Sequence, residues 1–259
     1  MKQDLEKIPH RGLELLSVLS RLGGSARNAQ IAQLMDVSEE TVRRLVKGLA
    51  KLGKVERVHG ASYLTGTDKA PKYSGALEQN AAEKSKIART ALQFIEDGMT
   101  IFINVGSTTT YVAEQLRDRN SLVVVTNSIS VVAALADHNG NRVFMAGGEI
   151  QSAERGTFGS STQSFAQKFS YDAVIMGVDA ISAKQGFLLN HQAEANLTGV
   201  ISSQSNLTIV VADQSKFNGR APMVACRPQD IRHLVTDAAP DAALEESLLE
   251  WGVEVHVAP

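Results

Sequence analysis

The sequence predicts a two-part α/β chain: a small N-terminal winged helix-turn-helix followed by a larger, mostly parallel α/β domain. Three observations predict it. Residues 9–52 hold three short stretches with helical spacing, followed by two extended runs. The segment 65–75, "TGTDKAPKYSG", is short of large apolar residues and rich in Gly, Ser, Thr and Pro, as exposed linkers are. Beyond it, strand-length apolar runs alternate with helical segments, the pattern of a parallel sheet covered on both faces. The expected organisation is therefore 1–64, a linker at 65–75, and 76–259.

From Pro9 to Leu22, leucines at 15, 19 and 22, with Leu16 alongside, have helical spacing, and Gly23-Gly24 ends the run. Asn28 is expected to cap a short helix, Ala29 to Met35, with Ile31 and Leu34 inward. Asp36-Val37 makes a turn, and Ser38 caps a third helix whose first turn carries Glu39 and Glu40, where acids suit the helix dipole. On that helix Val42, Leu45, Leu49 and Leu52 form the expected buried stripe, and Arg43, Arg44, Lys47 and Lys51 fall outside it. "KVERVHGASYL" reads as a hairpin around His59-Gly60. A basic helix of this kind fits the major groove, and a wing reaches the neighbouring backbone. The expected DNA-contacting surface is Ser38, Thr41, Arg43, Arg44, Lys47 and Lys51, with Arg57 and His59 on the wing.

In the second part, a helix around Glu83 to Ile95 precedes the strand "TIFINV". A helix from Tyr111 to Leu116, the strand "LVVVTN", a helix from Ser130 to Ala136 and "RVFMAGG" follow. Next come a helix near Ser164 to Phe169, "DAVIMGVD", a helix near Ala193 to Ser203 and "LTIVVAD". The chain closes with "HLVTD", a helix from Asp241 to Trp251 and "VEVHVA".

Composition bounds the function. Hydrophobic residues make up 43% of 259 residues and charged ones 21%, ordinary for a globular protein with a core. The N-terminus "MKQDLEKIPHRG" carries charges where a signal peptide would need an apolar core, and no apolar run reaches the roughly 18 residues of a membrane span. Cys226 is the one cysteine, so no internal disulfide forms, and cytoplasmic residence without membrane attachment is the expectation. Residues 1–60 carry eleven Lys and Arg against seven Asp and Glu, and the remainder fifteen against twenty-one. A basic module on an acidic body fits an anionic partner at the N-terminal end.

Ligands of open α/β sheets bind outside the carboxyl ends of the strands. Five such loops are polar here. The first holds Asn104 and then Gly106, Ser107, Thr108 and Thr109 at a helix N-terminus, where a close-approaching backbone meets a positive dipole end. No G-K-[ST] follows, so this is not a nucleotide-hydrolysing loop. The others supply Thr126 and Asn127, Gly147 and Gly148, Asp179, and Asp213 with Lys216. Small residues and backbone donors suit a sugar phosphate, Lys216 its charge, and carboxylates its hydroxyls. His191 and Glu194 lie close in sequence, but one His and one carboxylate make a poor metal site. No metal, cofactor or catalytic residue is expected.

The chain also resembles transcription regulators of the DeoR (deoxyribonucleoside repressor) type along nearly its whole length. The matching segments are "VSEETVRRLVKGLAKLGKVERVHGA", "EKSKIARTALQFIEDGMTIFINVGSTTTYVAEQL", "TNS", "AGGE", "FSYDAVIMGVDAIS", "GF" and "ADQSKF". The resemblance implies a C-terminal domain like ribose-phosphate isomerases, and a repressor that a phosphorylated sugar or polyol releases from operator DNA. It assigns the phosphate loop to Gly106, Ser107, Thr108 and Thr109, and further ligand contacts to Asp179 and Lys216. The chain departs from the family pattern at Leu45 and Asn104, where aspartate is common, and at Ala61, where many members have a second wing glycine. A homo-oligomer, dimer or tetramer, is expected, with ligand binding reorienting the N-terminal modules through the linker. The rival reading is an aldose–ketose phosphate isomerase with an accessory module. That reading needs a base within about 3 Å of the sugar carbons, and Asp179, Glu194 and Asp213 are formally available.

Overall fold

The computed structural model describes residues 9–21, 25–58, 61–64, 76–205 and 207–259. These fall into two compact units that divide between Gln79 and Asn80. The expected linker, 65–75, lies outside the described residues.

In the first unit, helices α1 (His10–Arg21), α2 (Asn28–Met35) and α3 (Glu39–Lys51) pack around one core. Leu15, Val18, Leu19, Ile31, Met35, Val42, Val46 and Leu49 fill it. Ser38 caps α3 as expected, its Oγ accepting from the Thr41 amide at 3.2 Å, and Asp36 makes the preceding turn at φ 51°.

Three local expectations are corrected. Asn28 does not cap α2: β1 (Ser25–Arg27) runs straight into the helix, so extended Arg27 takes the cap position. Asn28 is instead buried, its Oδ1 accepting from Ser62 Oγ at 2.9 Å. Leu34 is 54% exposed and Ala32 and Met35 face inward in its place. Leu52 is also exposed, because it sits beyond the last helical turn, and Val46 completes the stripe. β2 (Val55–Val58) and β3 (Ala61–Leu64) form the predicted hairpin, and β1 adds a third antiparallel strand on the far side of β3.

The second unit is built on seven parallel strands: β4 (Thr100–Ile103), β5 (Val123–Thr126), β6 (Arg142–Met145), β9 (Ala173–Met176), β12 (Thr208–Val211), β14 (His233–Thr236) and β15 (Glu254–Val257). Their order across the sheet is β15-β14-β12-β9-β4-β5-β6. Alternation within each strand sends side chains to opposite faces. Ile101, Ile103, Ala173, Ile175, Ile209 and Val235 meet the helices Ala81–Ala91, Ser107–Gln115 and Ile129–Leu135. Phe102, Val125, Val174, Val210 and Leu234 meet the helices Ser160–Ala166, Gln192–Ser202 and Ala242–Glu250. Both faces are sealed, which is why these strands read as unbroken apolar runs. No helix among the described residues is long and apolar enough to cross a membrane.

Two small antiparallel elements lie outside the expected pattern. One is the hairpin of β7 (Glu149–Gln151) and β8 (Gly156–Phe158); the other joins β10 (Ala180–Ser182), β11 (Gly186–Leu189) and β13 (Met223–Val224).

Adjacent leucines in the last helix test this burial pattern. Leu248 is 1% exposed and Leu249 79%. Leu248→Ala should cost about 2–5 kcal/mol, whereas Leu249→Ala should stay within about 0.5 kcal/mol, both read from urea unfolding midpoints of the second unit's transition.

Candidate anion-binding site and nucleic-acid interface

On α3 the residues expected to face DNA lie on the outer side. Arg43, Arg44, Lys47 and Lys51 are exposed, and Thr41 is half-buried. Ser38 and Thr41 are joined by their hydroxyls at 2.9 Å, so both also order the start of the helix. Arg43 pairs with Glu39 at 3.7 Å and Glu40 at 3.4 Å within the same helix. Such exposed pairs contribute about 0–1 kcal/mol and exchange readily for a phosphate. Leu45 packs half-buried against the core, so the departure from aspartate there leaves the basic face intact. Arg57 stands opposite Ser62 in the wing; His59 lies outside the described residues.

At the carboxyl edge of the parallel sheet, the loop after β4 runs directly into the helix Ser107–Gln115. Gly106 occupies the cap position, and no side chain caps the helix. The positive end of the helix dipole therefore lies at this loop. A Cβ at Gly106 would lie 2.9 Å from Thr109 Oγ1, so the tight entry requires glycine. Thr109 Oγ1 donates to the carbonyls of Asn104 and Gly106, each at 3.0 Å, and Thr110 Oγ1 donates to the Gly106 carbonyl at 2.8 Å. These hydroxyls are engaged in the loop's own frame. Ser107 is half-buried at its mouth and Thr108 is buried.

Asn104 is 1% exposed and fastens this loop to the end of the neighbouring strand β9. Its Oδ1 accepts from the Gly177 amide at 2.9 Å, and its Nδ2 donates to the Gly177 carbonyl at 3.3 Å and to Glu194 Oε1 at 3.4 Å. Glu194 is buried. Desolvation, then the nearby charges of Asp179 and Glu154, push its carboxyl well above the usual carboxylate range. Asp179 accepts from the Asn190 amide at 2.7 Å. Glu154 is met by His191 at 3.0 Å, so His191 and Glu194 do not form the pair their spacing suggests.

Thr126 is fully buried, its Oγ1 donating to the Ile103 carbonyl at 2.6 Å and accepting from the Ser128 amide at 3.0 Å. Asn127, also fully buried, donates from Nδ2 to the Thr157 carbonyl at 3.1 Å, while its Oδ1 has no partner. The β7–β8 hairpin lies across these loops: the Thr157 amide donates to the Asn127 carbonyl at 2.9 Å and the Ile129 amide to the Arg155 carbonyl at 2.9 Å. A Cβ at Gly156 would overlap Val105, so glycine is needed for that approach. Gly147 and Gly148 are exposed, and the Gly147 carbonyl accepts from Thr162 at 2.9 Å. They turn the chain onto the hairpin and the following helix.

A second polar group forms around β12. Asp213, 1% exposed, caps the turn Gln214–Lys216 by accepting from the Ser215 amide at 3.0 Å, and also accepts from Asn80 at 3.0 Å. Burial opposes its charge, but these hydrogen bonds and Lys84 hold its carboxyl below the ordinary value. Lys84 is buried in turn; desolvation lowers its pKa, Asp213 raises it, and the positive charge of Lys216 lowers it again. Lys216 stays half-exposed. Sequence reasoning missed Lys84 and Asn80. The signal for Lys84 was its place on the inner stripe Lys84–Ile87–Ala88–Ala91, where a lysine is out of character.

The chain matches the family described as "DeoR C terminal sensor domain" over residues 79–238 and the "DeoR-like helix-turn-helix domain" over 11–65. It is 30% identical to the HTH-type transcriptional repressor CsqR of Escherichia coli (strain K12), over 87% of each chain. It is 27% identical to the glycerol-3-phosphate regulon repressor of the same strain, over 90% of this chain and 93% of that one. A ribose-5-phosphate isomerase in complex with phospho-erythronic acid is similar in structure over 53% of this chain and 54% of that one, with a TM-score of 0.40 and 21% identity.

The buried Glu194 yields a pH-dependent test. Its folded pKa is raised, so the folded chain holds a proton that the unfolded chain releases, and stability falls as pH rises from the ordinary carboxylate value through the folded one. Glu194→Gln removes that cost. The stability advantage of the variant over wild type should widen with pH across this window and vanish below it, as measured by urea midpoints from pH 4 to 8. An advantage independent of pH would mean that Glu194 is not the titrating group.

Proposed function

The chain belongs to the DeoR family of transcriptional regulators, and we propose that it is a DNA-binding repressor of carbohydrate or polyol metabolism genes, released from its operator by a phosphorylated sugar or polyol. The observation that carries the effector half is the helix Ser107–Gln115, which starts at Gly106 on the carboxyl edge of the sheet with no side chain at its cap position. A phosphate there is met by oriented N–H groups and a dipole end, with no need for a metal. Ser107 serves its oxygens, Lys216 its charge, and Asp179 and the unpartnered Oδ1 of Asn127 the hydroxyls of the carbon chain. Thr108, Gly147 and Gly148 line the same edge, while Asn104, Thr109 and Thr126 hold its shape. The relatives' names, one a glycerol-3-phosphate regulon repressor, support the same class of effector.

The operator half rests on α3. Arg43, Arg44, Lys47 and Lys51 meet phosphates and base edges, Ser38 and Thr41 reach the backbone from the helix start, and Arg57 and His59 extend the contact along the wing. Residues 1–64 form the DNA-binding domain, 65–75 the linker and 76–259 the sensor. A homodimer or tetramer places paired modules on half-sites about 34 Å apart or a multiple of that spacing. The effector acts because it binds the DNA-incompetent arrangement more tightly; an equal affinity for both would shift nothing. The chain is a regulator and not an enzyme, in keeping with relatives named as repressors.

Replacing both Arg44 and Lys47 by Ala should weaken operator binding and reduce the slope of log affinity against log salt by about 2, roughly 0.9 for each phosphate no longer neutralised. Fluorescence anisotropy across a salt series measures it, and an unchanged slope would remove α3 from the interface. For the sensor, a panel of sugar and polyol phosphates should contain a compound that stabilises the chain by about 2.7 kcal/mol at 100 times its dissociation constant. Its unphosphorylated form should do nothing, and Ser107→Ala or Lys216→Ala should abolish the shift with DNA binding intact. Variants that respond like wild type would place the effector elsewhere.

A further inference from the structure

Among the described residues, one group of three His, Cys, Asp or Glu side chains brings its ligand atoms together: those of His233, Glu254 and His256 all lie within 4.8 Å of one another. The group is remote from the anion loops. His233 opens β14 and Glu254 opens β15, so it sits at the amino edge of the sheet, whereas the loops leave the carboxyl edge. Parallel register sets His233 against Glu254 and Val235 against His256, which brings all three side chains to one face.

Its dimensions are those of a small coordination sphere. His256 Nε2 lies 3.0 Å from His233 Nδ1, and His233 Nδ1 lies 3.6 Å from Glu254 Oε2. Zinc bonds of about 2.0–2.2 Å in tetrahedral directions set nitrogen and oxygen ligands about 3.3–3.5 Å apart, between these two separations. The rings are held in place before any ion arrives. Phe94 stacks on His233 with centroids 4.3 Å apart and meets His256 edge-on at 5.0 Å. Arg232 holds Glu254 Oε1 at 2.5 Å, leaving Oε2 turned towards His233. His233 is 12% exposed and Glu254 49%, so the group is ordered on its inner side and open on its outer side.

We propose that His233, Glu254 and His256 bind a divalent first-row transition ion, with zinc the best match. Two imidazoles and one carboxylate suit such ions, whereas magnesium and calcium require oxygen ligands almost throughout. Three protein ligands leave a fourth tetrahedral position for water or an outside donor. Imidazole ligates as the neutral ring, so the N–H shared between the two histidines moves to the outer nitrogen of the ring that carries it. Arg232 then serves as the outer partner that orients the ligating carboxylate. The ion ties β15 to β14 across the register of their first residues.

The test uses the full chain, stripped by chelator and dialysed, then titrated calorimetrically with ZnCl2 and in parallel with MgCl2. One zinc per chain and a rise in melting temperature are expected, with no response to magnesium. Glu254→Gln and His256→Gln should each weaken zinc binding at least tenfold, while the metal-free melting temperature of E254Q stays at the wild-type value. Cobalt(II) in place of zinc should give the strong visible absorption of a four-coordinate site, lost in E254Q. Absence of zinc binding overturns the proposal, as does zinc binding that neither variant weakens. Should H256Q fail to fold, the half-exposed Glu254 decides the matter alone.

Discussion

The carboxamide of Asn104 is the joint on which the sensor edge depends. β4 and β9 are neighbours at the centre of the sheet, and their ladder would end where the strands open into loops. Asn104 extends it by one rung, accepting from and donating to the backbone of Gly177 with one side chain. Only an amide offers both a donor and an acceptor in that reach. The same Nδ2 faces Glu194, a carboxyl with little water to solvate it. An aspartate at 104, as the family pattern favours, would lose the donor that meets the Gly177 carbonyl and Glu194 Oε1. Asparagine here and a buried glutamate at 194 are therefore one design.

Around that joint the polar residues divide by task. Thr109 and Thr110 spend their hydroxyls on backbone carbonyls of their own loop, and Thr126 spends its hydroxyl on the Ile103 carbonyl of the neighbouring strand and the Ser128 amide. Such bonds contribute about 1 kcal/mol each, but leaving the buried groups unpaired would cost more. Asn80 supports Asp213 by a hydrogen bond, and the buried charge of Lys84 does so by attraction, so the turn that carries Lys216 rests on an ordered polar group. What remains turned outward is a short set of amides, one serine, one lysine and a carboxylate.

The inner strands β4, β5, β9, β12 and β14 were legible because burial on both faces forces apolar runs, and hydrophobicity is what a sequence displays most plainly. Ser38 was legible because the capping bond is local. Asn28 was misread for the opposite reason: β1 and the wing set its surroundings, and helical spacing alone cannot report that. Leu52 was misread because the helix stops just before it. The β7–β8 hairpin escaped because strands of three residues carry little pattern, and its contacts with Asn127 are polar rather than apolar. At the site, the sequence showed which residue types gather at the strand ends, but not that threonines at 109 and 126 turn inward. A hydroxyl has no hydrophobic signature to reveal its direction. Lys84 stands between these cases, since an inward lysine on an apolar stripe is an anomaly that the sequence does print.

The sealed faces of the sheet have a consequence for how such a protein diversifies. Folding is secured by side chains that never touch the wet edge, and recognition is lodged in loops that contribute little to the core. Ser107, Asp179 and Lys216 lie outside the apolar layers, so substitutions there leave the packed faces of the sheet unchanged, while the buried amide at Asn104 keeps the loops after β4 and β9 in register.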